Sequence, residues 1–207
     1  MRKTLATLTI ASCLLLLGGC DSSEPDTILP DSFAPGQGGI SVSGGLTSSF
    51  NGVAFWSVIE EDEDLDGPMF ILLIINGSIE DLENEQYEAV LVGGEGVRPG
   101  LGTYPLRDFA GDGEEGVYDG IYVRSQAQNF VFVTSESGSM VITGSSAQRL
   151  EGTLSFTGAA FSFAGPLGSE ATISGGFNAM FIDPSDVPDD AGAREKIAAR
   201  IVSEFIQ

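Results

Sequence analysis

Three aspartates alternate in the segment Glu60-Glu61-Asp62-Glu63-Asp64-Leu65-Asp66-Gly67. Asp62, Asp64 and Asp66 place oxygens at the first, third and fifth positions of a loop. Gly67 follows at the sixth, where a sharp turn is needed. This spacing suits Ca2+, a hard cation that takes about six to eight oxygen ligands. The match then stops. The twelfth position, where a bidentate Glu completes such a loop, is Leu73, inside the apolar run Met69 to Ile75. A non-helical site would need a carboxylate from elsewhere, and Asp108, Asp112, Glu114 and Glu115 are the candidates. The other reading is a solvated acidic loop whose charge discourages edge-to-edge pairing. The calcium reading requires that calcium raise the melting temperature at fixed ionic strength.

Aromatic side chains are the second source of chemistry. Tyr118 and Tyr122 fall on one face of an expected strand, with Gly120 between them. Two rings flanking a residue without a side chain make a flat platform that can stack on a sugar or anchor a peptide. The alternative is ordinary core packing, which is the usual fate of a large aromatic. Trp56, Tyr87 and Tyr104 carry the same two readings, and Trp56 sits between Phe55 and Val58 in a strand with one face to bury.

Composition removes most other chemistry. The chain has no histidine, so Ser-His-Asp and Cys-His catalysis and every His-ligated metal site are excluded. There is no Gly-x-Ser-x-Gly elbow. Gly93-Gly94-Glu95-Gly96 lacks the lysine of a phosphate loop and the spacing of a dinucleotide loop. Thirty acids guarantee some close carboxylate pairs, so a glycosidase-like pair cannot be singled out. Lys and Arg total 9 against 30 Asp and Glu, a net charge of -21 that argues against nucleic-acid binding.

The N-terminus reads as an address. Arg2 and Lys3 precede an apolar run from Leu5 to Leu17, which is the length of a signal-peptide core and too short to span a bilayer. The run ends Leu17-Gly18-Gly19-Cys20. A branched residue, two small residues and a cysteine in this order resemble the lipobox of bacterial lipoproteins. The resemblance implies that residues 1–19 are removed, that Cys20 carries the lipid, and that Cys13 leaves with the signal. It also implies attachment to a membrane of the cell envelope, on the periplasmic face or the cell surface of the outer membrane. The processed chain would keep seven cations against thirty acids, a charge of -23. Residues 20–39 hold Pro25, Pro30, Pro35, Gly36, Gly38 and Gly39 and read as a flexible tether with an end-to-end distance of about 25 Å.

From Ile40 to Asp183 the pattern has period two. Ile40, Val42, Leu46 and Phe50 alternate with Ser41, Ser43, Thr47 and Ser49. Leu150, Leu154 and Phe156 alternate with Glu151, Thr153, Ser155 and Thr157. Residues 171–181 repeat the pattern, and further strands are expected near 53–60, 86–92, 117–124, 129–134 and 139–143. Met69 to Ile75 is apolar at every position, so that strand is central or covered on both faces. Frequent Gly, Asn, Asp and Ser between these runs suit an all-β, antiparallel sandwich or squat barrel of about eight to ten strands. The tail, 184–207, changes period. Ile197, Ala198, Ile201, Val202, Phe205 and Ile206 make one apolar stripe of a C-terminal α-helix, expected to pack on the sheet or at a barrel mouth, or to dock on a partner or membrane.

The order of these signals resembles a family of uncharacterised all-β lipoproteins of Bacteroidetes and relatives. The likeness rests on Asn51-Gly52 before a Trp-containing strand, a Gly102-Thr103-Tyr104 turn, and the strand segments 137–143, 151–156 and 173–177. It brings no catalytic residue. The combined reading is a lipid-anchored, non-catalytic β module that binds an envelope protein, a glycan or a small apolar ligand. The alternatives are a structural envelope lipoprotein and a carboxylate-based, calcium-dependent enzyme. The abundance of acids and the near absence of lysine also resemble proteins of salt-adapted organisms. At molar salt the Debye length is about 3 Å and carboxylate repulsion is screened.

Overall fold

The computed structural model describes residues 32–59, 67–77, 86–107, 116–126, 129–162 and 165–183. It is all-β. Ten strands run β1 (Gln37–Gly44), β2 (Ser48–Ile59), β3 (Met69–Asn76), β4 (Gln86–Glu95), β5 (Gly102–Arg107), β6 (Tyr118–Gln126), β7 (Asn129–Thr134), β8 (Ser137–Ser145), β9 (Arg149–Ser162) and β10 (Gly165–Phe181). They form one sheet. The lipobox region, the acidic loop and the tail 184–207 with its expected helix lie outside the described residues.

The sheet closes on itself. Antiparallel pairing runs from β1 through β2, β3, β4, β6, β7, β9 and β10, and β10 returns to β1. The alternating residues therefore have an inside and an outside, and closure removes the sheet edges. Two strands widen the ring at one end. The start of β6 pairs with β5 rather than β7, β5 pairs with β8, and β8 pairs with the first half of β9. At the same end β10 runs past the start of β1 and pairs directly with β2, Met180 with Phe55 and Phe181 with Trp56. This wider end is called the aromatic mouth below, and the opposite end the polar mouth.

All ten strands contribute to one interior core, which includes Ile40, Phe50, Phe70, Leu106, Tyr122, Val133, Met140, Phe156 and Ile173. The alternation seen in sequence fits this inside-outside division. In β9, Leu150, Leu154 and Phe156 are buried, while Thr153 and Ser155 are exposed. β3 departs from alternation as expected, because residues on both of its faces are buried.

Three local features differ from the sequence reading. Pairing begins at Gln37, inside the segment read as tether, with Gly38 and Gly39 buried between β10 and β2. The Asn178 side-chain amide donates to the Phe33 carbonyl at 2.8 Å and fixes the approach to β1. The Gly102-Thr103-Tyr104 segment is strand, not turn, and pairs with Ile142, Val141 and Met140 of β8. The single alternating run expected over 40–50 divides into β1 and β2, with Leu46 buried in the connection.

Candidate functional site

Tyr118 and Tyr122 do share a face of β6, but it is the inner face. Tyr118 is 3% exposed and Tyr122 is fully buried. The platform reading is therefore corrected to core packing. The room beside the rings is also taken. A Cβ placed on Gly120 would stand 3.1 Å from the Phe156 ring, so the ring of β9 fills the space that glycine leaves. Parity placed the two tyrosines together, but it could not say which face looks inward.

The two tyrosines have different surroundings. Tyr118 belongs to an aromatic series across the aromatic mouth. Phe181 and Trp56 rings lie 4.7 Å apart, Trp56 and Phe70 6.5 Å, Phe70 and Tyr118 5.4 Å, and Tyr118 and Tyr104 5.6 Å. The last two pairs meet edge to face, the geometry that ring quadrupoles favour. The segment 96–101 crosses above them. Gly96 donates to the Pro68 carbonyl, Ser145 Oγ donates to the Pro99 carbonyl at 3.0 Å, and Tyr104 Oη donates to the Gly100 carbonyl at 3.1 Å. The Arg98 guanidinium rests 5.6 Å from the Trp56 ring centre, a cation–π contact. Trp56 Nε1 is buried and finds no acceptor among the described residues.

Tyr122 points toward the polar mouth, and its hydroxyl ends on a carboxylate. Tyr122 Oη donates to Glu88 Oε2 at 2.8 Å. Ser48 Oγ lies 2.9 and 2.7 Å from the two oxygens of the same carboxylate. Three strands meet here: β2 brings Ser48, β4 brings Glu88 and β6 brings Tyr122. Arg124 stands opposite Glu88 in the β4–β6 register. The Tyr122 hydroxyl is held protonated well above its ordinary 10.0. Burial is the main cause, followed by the Glu88 charge and the hydrogen bond to it, and Arg124 opposes the shift in part.

Glu88 also lines an open pocket of about 360 Å3 at this mouth, with Asn76, Gln86, Tyr87, Ser125 and Gln126. Among the described residues the lining combines three carboxamides, two hydroxyl groups and one carboxylate. Such groups both donate and accept, which suits a ligand rich in hydroxyls.

Sequence reasoning missed Glu88, Ser48, Asn76, Gln86 and Gln126. A signal was present. Glu88 has the parity of Val90 and Val92, so an acid stands in line with an inward-facing row. Ala89 and Leu91 are apolar on the other parity, and without the fold neither row is marked as interior.

The acidic loop with Asp62, Asp64 and Asp66, and its candidate helpers Asp108, Asp112, Glu114 and Glu115, lie outside the described residues. So does Cys20. Among the described residues no three Cys, Asp or Glu side chains converge as a metal site would need. No family model matches the chain, and no curated protein and no solved structure matches it either.

Proposed function

We propose that this protein is a lipid-anchored lipoprotein of the bacterial cell envelope whose barrel binds a hydroxyl-rich ligand, a glycan unit in the first instance, at the polar mouth. The anchor rests on Leu17-Gly18-Gly19-Cys20 and the signal-like run before it. The binding site rests on one observation above the others. Glu88 is held by Tyr122 and Ser48 at the edge of an open pocket whose other described lining residues are carboxamides and hydroxyls. A carboxylate fixed by two donors is a pre-oriented acceptor, which limits the entropy lost when a ligand hydroxyl binds. The core filled by Tyr122, Phe70, Phe156 and Leu72 favours a ligand at the mouth over an apolar ligand inside the barrel.

Two experiments test the two halves. Growth with labelled palmitate should mark the protein, and Cys20→Ser should abolish the label. A Cys20→Ser protein that stays labelled and membrane-bound would remove the anchor reading. Titration of the purified protein with a panel of neutral mono- and disaccharides should shift resonances of Gln86, Glu88 and Gln126 at millimolar sugar, and Gln126→Ala should weaken the effect. A panel that leaves these resonances unmoved would remove the glycan reading.

A further inference from the structure

Seven outward-facing apolar side chains of β3, β4 and β6 are buried although no other described element lies over them. In β3 they are Ile71, Leu73 and Ile75. In β4 they are Ala89 and Leu91, and in β6 Ile121 and Val123. The registers align them in rows: Phe55, Leu73, Leu91 and Ile121 in one, and Val53, Ile75, Ala89 and Val123 in the next. Leu73, Ala89, Ile121 and Val123 are each 1% exposed. Phe55, Ile59, Met69 and Tyr87 of the same sheet pack against these side chains, but they are themselves only partly buried. Thr153 and Ser155 on the outer face of β9 are exposed with neighbours on either side. The burial of this face calls for a further layer on β3, β4 and β6 that the described residues do not supply.

We propose that the layer is the C-terminal segment 184–207, seated by the stripe Ile197, Ala198, Ile201, Val202, Phe205 and Ile206. Three observations carry this. First, the chain is delivered to the right place. The Ile182 amide donates to the Trp56 carbonyl at 3.0 Å, and Ser57 Oγ donates to the Ile182 carbonyl at 2.8 Å. The last described residues are thus tied to β2, the strand beside β3. Second, the sizes agree. A helix is about 10 Å across with its side chains, and β3 to β6 spans two interstrand spacings, roughly 10 Å. Third, the composition agrees. Segment 60–66 holds one large apolar residue, Leu65, and segment 78–85 holds two, Ile79 and Leu82. The tail holds a continuous stripe of them, with Arg194, Lys196 and Arg200 to complement an acidic domain.

The test is thiol accessibility in the full chain with Cys13 and Cys20 both changed to Ser. A cysteine at Ala89 should react with a maleimide at least ten times more slowly than one at Thr153. Adding Ile201→Asp and Phe205→Asp should unseat the stripe and raise the rate at position 89 at least tenfold, with the rate at 153 unchanged. Protection that survives the two aspartates would assign the face to another segment, the Leu5–Leu17 run foremost, and overturn the proposal. A position 89 that reacts freely in the parent chain would also overturn it. Should the aspartates unfold the barrel, as a rise at a buried Ile173→Cys control would reveal, hydrogen exchange on the unaltered chain decides. Slow amides across 195–206 are expected, and exchange at the free-chain rate there would overturn the proposal.

Discussion

Tyr122 reaches from β6 to Glu88 on β4 and donates a 2.8 Å hydrogen bond to its carboxylate at the polar mouth. The ring is fully buried, and the acid is partly buried at the pocket edge. The pair thus joins core to mouth: the same bond that satisfies a buried hydroxyl also orients the one acid among the described residues of the pocket lining.

This bond gives stability a defined pH dependence. Burial and Glu88 raise the Tyr122 ionisation above its ordinary 10.0. A folded-state value above the unfolded one means that the unfolded chain loses this proton first. The contribution is therefore complete below pH 10 and is lost as pH rises beyond it. Urea midpoints measured from pH 8 to 11.5 should fall above pH 10, and Tyr122→Phe should make that fall shallower. An equal fall in the variant would contradict the assignment.

Removing the acid should cost more than removing the hydroxyl. Glu88→Ala leaves a buried Tyr122 hydroxyl without its acceptor, at about 1–3 kcal/mol, whereas Tyr122→Phe deletes the donor itself. In the double variant the penalty should shrink below the sum of the two. Additive losses in urea titrations would show that the two groups do not act as a pair.

Gly120 should be intolerant for a packing reason. Gly120→Ala brings a Cβ to 3.1 Å from the Phe156 ring, and overpacking of this kind costs about 1–3 kcal/mol. Phe156→Leu in the Gly120→Ala background should recover part of the loss, though the same change alone destabilises the parent. Failure of this rescue in thermal melts would mean that the backbone, not the ring, sets the requirement.

Trp56 is the chain's single tryptophan, so its fluorescence reports on the aromatic mouth. It is 4% exposed and has Arg98 over its ring. Acrylamide should quench it poorly in the parent and more strongly in Arg98→Ala, with a stability loss of about 0.5–1 kcal/mol. Unchanged quenching would show that segment 96–101 stays in place without the arginine.

A net charge of -21 destabilises any compact state by self-repulsion, and salt relieves it. The melting temperature should climb by several degrees from low salt to molar KCl, beyond where ordinary screening saturates. A flat profile would count against the salt-adapted reading.

Much of this protein was legible in the residues alone. Strand alternation in 150–157 and 171–181 reported an all-β domain, because a residue facing solvent and one facing core need different chemistry. The all-apolar run at 69–75 announced a strand either central or covered on both faces, and the structure buries residues on both faces. What the residues could not reveal is which inward rows meet. Glu88 and Ser48 are 40 positions apart, and Glu88 and Tyr122 are 34 apart. Their contact exists because β4 and β6 pair directly and β2 joins them through β3, in a register that brings all three to one mouth. Tyr118 and Tyr122 show the same limit from the other side. Period two placed them on one face, but burial is a property of the closed barrel, and only closure made that face the interior.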